Sequence, residues 1–308
     1  MEARIGEMAA LATAFFWSIT ALSFEAAGKR IGSLTVNITR LVMAALLFVV
    51  YGLITRGLAI PTDVALSGWG WLALSGLVGF VIGDLLLFQA FVEIGARISM
   101  LIYSSVPPLT ALLARFLLGE RLGVLGMAGM AITVAGIALV VLRRSAVHEQ
   151  PAPHAVPVDP SPVRPRLRGI LFAFGGALGQ AGGLILGRIG AGVSVDPFAA
   201  TQIRVFAGIL GFLIVFTIAG RWNRVWIAIR NRRAMTSVGI GALFGPFLGV
   251  SLGLYAAQHT SVGIASTIMA LVPVLIIIPS VLVFKEKIHL REVIGALIAV
   301  SGVALLFV

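Results

Sequence analysis

Apolar residues run along this chain in long blocks separated by short polar gaps. Ten blocks, 6–27, 34–55, 69–91, 97–118, 123–142, 169–188, 197–219, 234–257, 263–284 and 290–307, carry few charges. A helix rises about 1.5 Å per residue, so crossing a hydrocarbon core of about 30 Å takes about 20 mostly apolar residues. Every block is near that length, and none alternates with the period of two that marks a membrane β-barrel strand. The pattern predicts an all-α integral membrane protein with ten transmembrane helices.

One interruption is long. Arg143 to Arg168 holds Pro151, Pro153, Pro157, Pro160, Pro162 and Pro165, which predicts an extended linker without a packed core. The chain on its two sides matches. A shift of 166 aligns Gly79 with Gly245, Gly83 with Gly249, Pro107 with Pro273, Glu120 with Glu286, Gly129 with Gly295 and Gly136 with Gly302. Upstream, a shift of 164 pairs Arg40 with Arg204. We therefore divide the chain into a first repeat over 1–142, a linker over 143–168 and a second repeat over 169–308. Five spans per repeat is an odd number, so the copies must lie in opposite orientations, as in many secondary transporters.

Composition supports a membrane class. The chain is 59% hydrophobic and 11% charged, with a mean hydropathy of +1.06, whereas soluble domains are about 25% charged. Cysteine is absent, which excludes disulfides, thiolate metal sites and a cysteine nucleophile. A net charge of +11 would suggest nucleic acid in a soluble protein, but here the basic residues sit between apolar blocks and report orientation. One side collects Lys29, Arg30, Arg97, Arg143, Arg144, Arg164, Arg166, Arg168, Arg221, Arg224, Arg230, Arg232, Arg233, Lys285, Lys287 and Arg291. The other has Arg4, Arg56, Arg121 and Arg188. The positive-inside rule then predicts a multi-pass inner-membrane protein with a cytoplasmic linker and both termini outside. Arg4 before the apolar run from Met8 to Phe24, and Ala26-Ala27-Gly28 after it, outline a cleavable signal. Glu2, Glu7 and the matching block in the second repeat favour a retained helix.

Several motifs occur twice. The first repeat has Ile82-Gly83-Asp84, Val106-Pro107-Pro108, Leu118-Gly119-Glu120-Arg121 and a Gly-rich stretch from Gly129 to Gly136. The second has Leu271-Val272-Pro273-Val274, Phe284-Lys285-Glu286-Lys287 and Gly295 to Gly302. This doubled set resembles the EamA-type permeases of the drug/metabolite transporter superfamily, over essentially the whole chain apart from the linker. The resemblance implies a ten-helix secondary carrier, often an exporter of amino acids or related metabolites, with a central cavity lined from both repeats. A nucleotide-sugar or drug carrier of the same superfamily is the alternative it leaves open. The expected partners are a small-molecule solute and the lipid bilayer, with protons as candidate coupling ion; nucleic acid, metal and cofactor are not expected.

Charges at bilayer depth cost about 2.5–3.5 kcal/mol on insertion scales and need partners or water. Asp84 late in the third block and Arg40 early in the second enter from the same side, both roughly 10 Å deep at about 1.5 Å per residue. An Arg40–Asp84 ion pair is therefore allowed, as a gate, a proton-responsive latch or a structural pin. Arg204 matches Arg40, yet Val250 stands where Asp84 would recur. An arginine without a built-in acid can receive a carboxylate; alternatively it snorkels to the interface or bonds to backbone carbonyls.

Pro107 with Pro108, and Pro273 with Pro279, are candidate helix breaks, serving as hinges or as static kinks. Trp17, Gln89, Tyr103, Ser104, Gln180, Tyr255, Ser266 and Thr267 are further candidates to line a solute cavity, each also able to serve as an interhelical hydrogen bond. Glu120 and Glu286 read as interface anchors. Gly239-Ile240-Gly241 has neither a preceding strand nor a following Lys-Ser or Lys-Thr, so it is no phosphate loop. His148, His154, His259 and His289 show no metal spacing, and no Ser-His-Asp set or paired intramembrane carboxylates appear, which leaves a membrane enzyme without visible machinery. A channel would want a charged ring or symmetric filter.

Overall fold

The computed structural model describes residues 2–103, 105–147, 167–220, 222–275 and 290–307. Among them all regular structure is helical. The first part of the chain forms α1 (Glu2–Ile31), α2 (Ser33–Arg56), α3 (Leu66–Gly76), a first π-helical segment (Leu77–Gly83), α4 (Asp84–Tyr103), α5 (Val106–Leu117) and α6 (Val124–Val147). The second forms α7 (Leu167–Ala191), α8 (Pro197–Ala219), α9 (Trp222–Ile229), α10 (Arg232–Ala242), a second π-helical segment (Leu243–Gly249), α11 (Val250–His259), α12 (Val262–Met269), α13 (Val272–Leu275) and α14 (Leu290–Ala304). Among the described residues six helical stretches are long and apolar enough to cross a membrane: Arg4–Gly28, Leu34–Arg56, Leu66–Leu87, Leu167–Ala191, Pro197–Ala219 and Arg232–His259. Val106–Leu117, Val124–Leu139 and Val293–Ala304 are shorter apolar helices. The ninth expected span is described only as far as Leu275.

Local chemistry sets several ends. Asp196 caps α8 by accepting from the Ala199 N–H at 2.8 Å, Pro197 opens the helix, and Gly220 closes it at φ 62. Proline tolerates the first turn, where its missing N–H has no partner to lose, and glycine accepts the left-handed cap without a Cβ clash. Between α8 and α10 lies α9, with Trp226 and Ile227 exposed and Arg230, Arg232 and Arg233 following it, a combination suited to the bilayer–water boundary.

The expected loop at 92–96 continues as helix through to Tyr103. Asp84 and Tyr103, the first and last residues of α4, both line the central cavity described below. No proline lies between Pro61 and Pro107, so helical hydrogen bonding meets no covalent obstacle there.

Backbone irregularities recur with the repeat. Leu77–Gly83 and Leu243–Gly249 are both π-helical and stand 166 residues apart. The gap between Tyr103 and Val106 recurs, at the same offset, between Met269 and Val272. Both expected proline breaks need a correction of position: Pro107 and Pro273 are the second residues of α5 and α13, after the interruption. A proline there loses no intrahelical bond, because the first four N–H groups of a helix have no partner in it. Pro108 follows in the first turn of α5 and is exposed; Pro279 lies outside the described residues. Among the described residues, Pro246 is the proline past the first turn of a helical segment.

Three antiparallel seams bind the repeats, and each repeat's first helix packs on the other repeat. Along α7, Gly190 meets Leu72, Gly187 meets Ser75, Gly183 meets Gly79, and Gly179 meets Gly83. A Cβ on Gly179 would stand 2.6 Å from the Gly83 Cα, so the backbones touch there. Along α1, Phe24, Thr20, Trp17 and Thr13 lie against Gly241, Gly245, Gly249 and Gly253. The third seam crosses α6 with α14, where Gly129 meets Gly302 and Gly136 meets Gly295 and Ala299. Small residues let helices approach where no hydrophobic drive joins them in lipid. Outward, Leu46, Ile54, Phe116 and Ile218 are exposed, as a lipid-facing surface requires.

Candidate functional site

A cavity of about 270 Å³ lies where the repeats meet. Its wall includes Trp17 and Thr20 of α1, Arg40 of α2, Phe80 of the first π segment, Asp84 and Tyr103 of α4, and Val106 of α5. From the second repeat come Gln180 and Leu184 of α7, Arg204 of α8, Gly245 and Pro246 of the second π segment, Val250 and Gly253 of α11, and Ser266, Met269 and Val272. Both π segments and the residues flanking both helix interruptions thus contribute. A π turn bonds i to i+5 and recurs at functional sites because it displaces one residue from the ordinary helical face.

Two arginines face this space in different states. Arg40 donates from Nη2 to Asp84 Oδ2 in a direct ion pair, and its guanidinium lies 5.3 Å from the Phe24 ring centroid. Arg204 is 5% exposed and stands 5.3 Å from the Phe80 centroid. Among the described residues it has no acid and no hydrogen-bond partner, and its Nε is buried and unpaired. Gly79 and Gly187 flank it: a Cβ on either would come within 3.8 and 3.5 Å of the guanidinium. Its burial leaves no room for a snorkelling geometry. Val250, at the repeat position of Asp84, presents an apolar side chain to the cavity.

Of the residues singled out in sequence, Trp17, Arg40, Asp84, Tyr103, Gln180, Arg204 and Ser266 come together on this wall. Three lie elsewhere. Gln89 is exposed and donates to Glu93 Oε1 at 3.2 Å, and Glu93 in turn pairs with Arg168 at 3.3 Å. Tyr255 stacks on His259 with centroids 4.0 Å apart. Thr267 is fully buried and donates to the Gly263 carbonyl at 2.8 Å. Ser104 lies outside the described residues. Phe80, Pro246 and Thr20 were not anticipated. Phe80 and Pro246 are repeat equivalents inside the aligned glycine pairs, and that alignment was the available signal.

Outside the membrane segments, Glu120 ties the repeats together. Its Oε2 accepts from the Val262 N–H at 2.9 Å, at the start of α12. Burial pushes this carboxyl above its ordinary range, against the opposing pull of the Val262 amide and Arg188. At the α2–α3 connection Asp63 accepts from Arg56, which holds its carboxyl below the usual range.

The EamA-like transporter family model matches this chain twice, over residues 4–142 and 167–308. The chain is 22% identical over 298 residues to "Uncharacterized transporter sll0355" of Synechocystis sp., spanning 96% of this chain and 88% of that protein. It is 30% identical over 125 residues to "WAT1-related protein At3g02690, chloroplastic" of Arabidopsis thaliana, spanning 41% of this chain and 29% of that one. A solved crystal structure with 18% identity superposes at a TM-score of 0.71 over 97% of this chain and 96% of its own, a likeness of fold. Apolar helices, repeat-related irregularities and the doubled family match converge: the chain belongs to the EamA-like transporter family and is a multi-pass membrane transporter.

Proposed function

We propose that this protein is a secondary carrier that exports small metabolites, amino acids or related organic solutes, by alternating access to the central cavity. The observation that carries this reading is the siting of that cavity among two π segments and two helix interruptions related by one repeat offset. Broken helices at the junction of inverted repeats are where carriers bind solute and bend. The volume of about 270 Å³ lies near the lower end of the range of about 300–1,000 Å³ typical of small-molecule sites, a size that admits small metabolites. The sequence has no phosphate loop, so the gradient of the solute or of an ion supplies the energy. Asp84 is the first candidate to carry a proton. The outward direction rests on the family resemblance, and the cytoplasmic linker on its arginines.

Purified protein in liposomes, preloaded with unlabelled solute, should accumulate the labelled solute transiently by counterflow and saturate with concentration. Ionic conductance without saturable exchange would instead make it a pore.

A further inference from the structure

We infer that Arg204 is the receptor for a carboxylate, so that the cavity selects small organic anions of net charge −1 over neutral zwitterions and excludes cations. This deepens the carrier reading and rests on it. Among the described charged residues on the wall, Arg40 and Asp84 neutralise each other, which leaves the positive charge of Arg204 uncompensated by them. A buried cation without partner is costly to hold, and an incoming anion supplies what the fold withholds.

Three features make the place a built site. Arg204 is only 5% exposed yet borders the cavity, and its Nε has no partner among the described residues. Phe80 lies against the guanidinium, and the side-chain-free Gly79 and Gly187 stand beside it. A guanidinium fork of N–H donors binds a carboxylate through two parallel hydrogen bonds. The repeat supplies the third feature. Where the first repeat sets Asp84 against Arg40, the second sets Val250 on the same wall as Arg204, so the site is the ion pair's counterpart with its acid removed. The solute's carboxylate takes the place of that acid.

The test uses the full chain in liposomes, with glutamate and lactate as anionic probes, alanine as zwitterion and choline as cation. Wild type should exchange glutamate and lactate in preference to alanine, and choline should not compete. Arg204→Gln should lower anion exchange at least about tenfold, the loss expected of one charge-assisted bidentate pair. Arg204→Lys should recover part of it. Val250→Asp should silence anion exchange while Arg204 stays in place, because an internal carboxylate then occupies the fork. Size-exclusion profiles and melting curves check folding, and where Arg204→Gln fails to fold, Val250→Asp with Arg204→Lys decides.

Undiminished anion exchange in Arg204→Gln, or wild type preferring choline or alanine, overturns the inference and leaves the carrier standing. A glutamate-induced rise in Tm that vanishes in Arg204→Gln, without exchange of any probe, supports the site and sinks the carrier. Absence of both exchange and Tm shift overturns both.

Discussion

The α7 seam and the α1 seam are repeat equivalents built in opposite ways. Where α7 crosses the helix that runs through the first π segment, glycine faces glycine and backbones touch. Where α1 crosses the second, Trp17, Thr20 and Phe24 fill the space opposite glycines. One crossing is closed by main chain and the other by side chains, two of which, Trp17 and Thr20, also form cavity wall. The same division appears in the charges: the first repeat pairs its arginine internally, and the second does not. One architecture thus gives two unlike faces to a single cavity, a rigid glycine-lined side around Arg204 and an adjustable side-chain-lined side around Arg40.

The sharpest way to break this contrast is to add side chains at the rigid seam. Gly179→Val meets the Gly83 Cα, which has nothing to retract. The cost should exceed the about 1–3 kcal/mol of ordinary overpacking, and the yield of monodisperse protein should collapse. Asp84→Asn comes next. It turns Arg40 into a second unpaired cation, costing about 3 kcal/mol, the low end for a broken buried pair because the cavity admits water. Its melting temperature should drop, and its solute preference should shift toward dicarboxylates.

At the side-chain seam, Gly245→Ala should cost about 1–2 kcal/mol, since its Cβ would stand 2.8 Å from the Thr20 Cγ2. Thr20→Ala should restore most of that in a double-mutant cycle. No such rescue exists opposite Gly179, and finding one would dissolve the distinction between the seams.

Smaller effects separate the tethers outside the bilayer. Glu120 has a raised pKa in the fold, so its contribution is full below the ordinary glutamate value and is lost as pH rises through the folded one. Wild type and Glu120→Gln should melt alike at low pH, and the variant should pull ahead as pH rises. Asp63 has the opposite sign. Its pKa is lowered by Arg56, so its stabilisation holds above the ordinary aspartate range and fades as pH falls through the folded value. With the Asp63 side chain 52% exposed, Asp63→Asn should move Tm least of all.

The spans were legible because lipid demands long apolar helices, and the repeat was legible because Gly, Pro and Glu recur at one offset. That offset also governs the π segments and helix interruptions, although no propensity predicts a π turn in Leu77–Gly83. Facing was harder to read. Each residue turns a helix by about 100°, so the residue a π turn adds rotates every later position of its helix. Gln89, downstream of the first π segment, faces away from the cavity beside Glu93. Tyr255 and Thr267 show the same limit, since the sequence does not say whether a polar group satisfies its own helix or a solute. Arg40 and Arg204 were identifiable because charge in an apolar block is rare and the repeat exposes the missing acid.

At the crossing of α6 and α14, Thr133 Oγ1 reaches the Ala299 carbonyl at 3.4 Å, and these two residues are repeat equivalents. Gly129 with Gly302 and Gly136 with Gly295 are likewise one contact counted from either end. Such a contact has the form of a homodimer interface, in which i meets j and j meets i, with one chain supplying both partners. In the alternating-access cycle proposed above it would map onto itself as the repeats exchange conformations, and the crossing would act as the fixed point about which the cavity-bearing helices trade places.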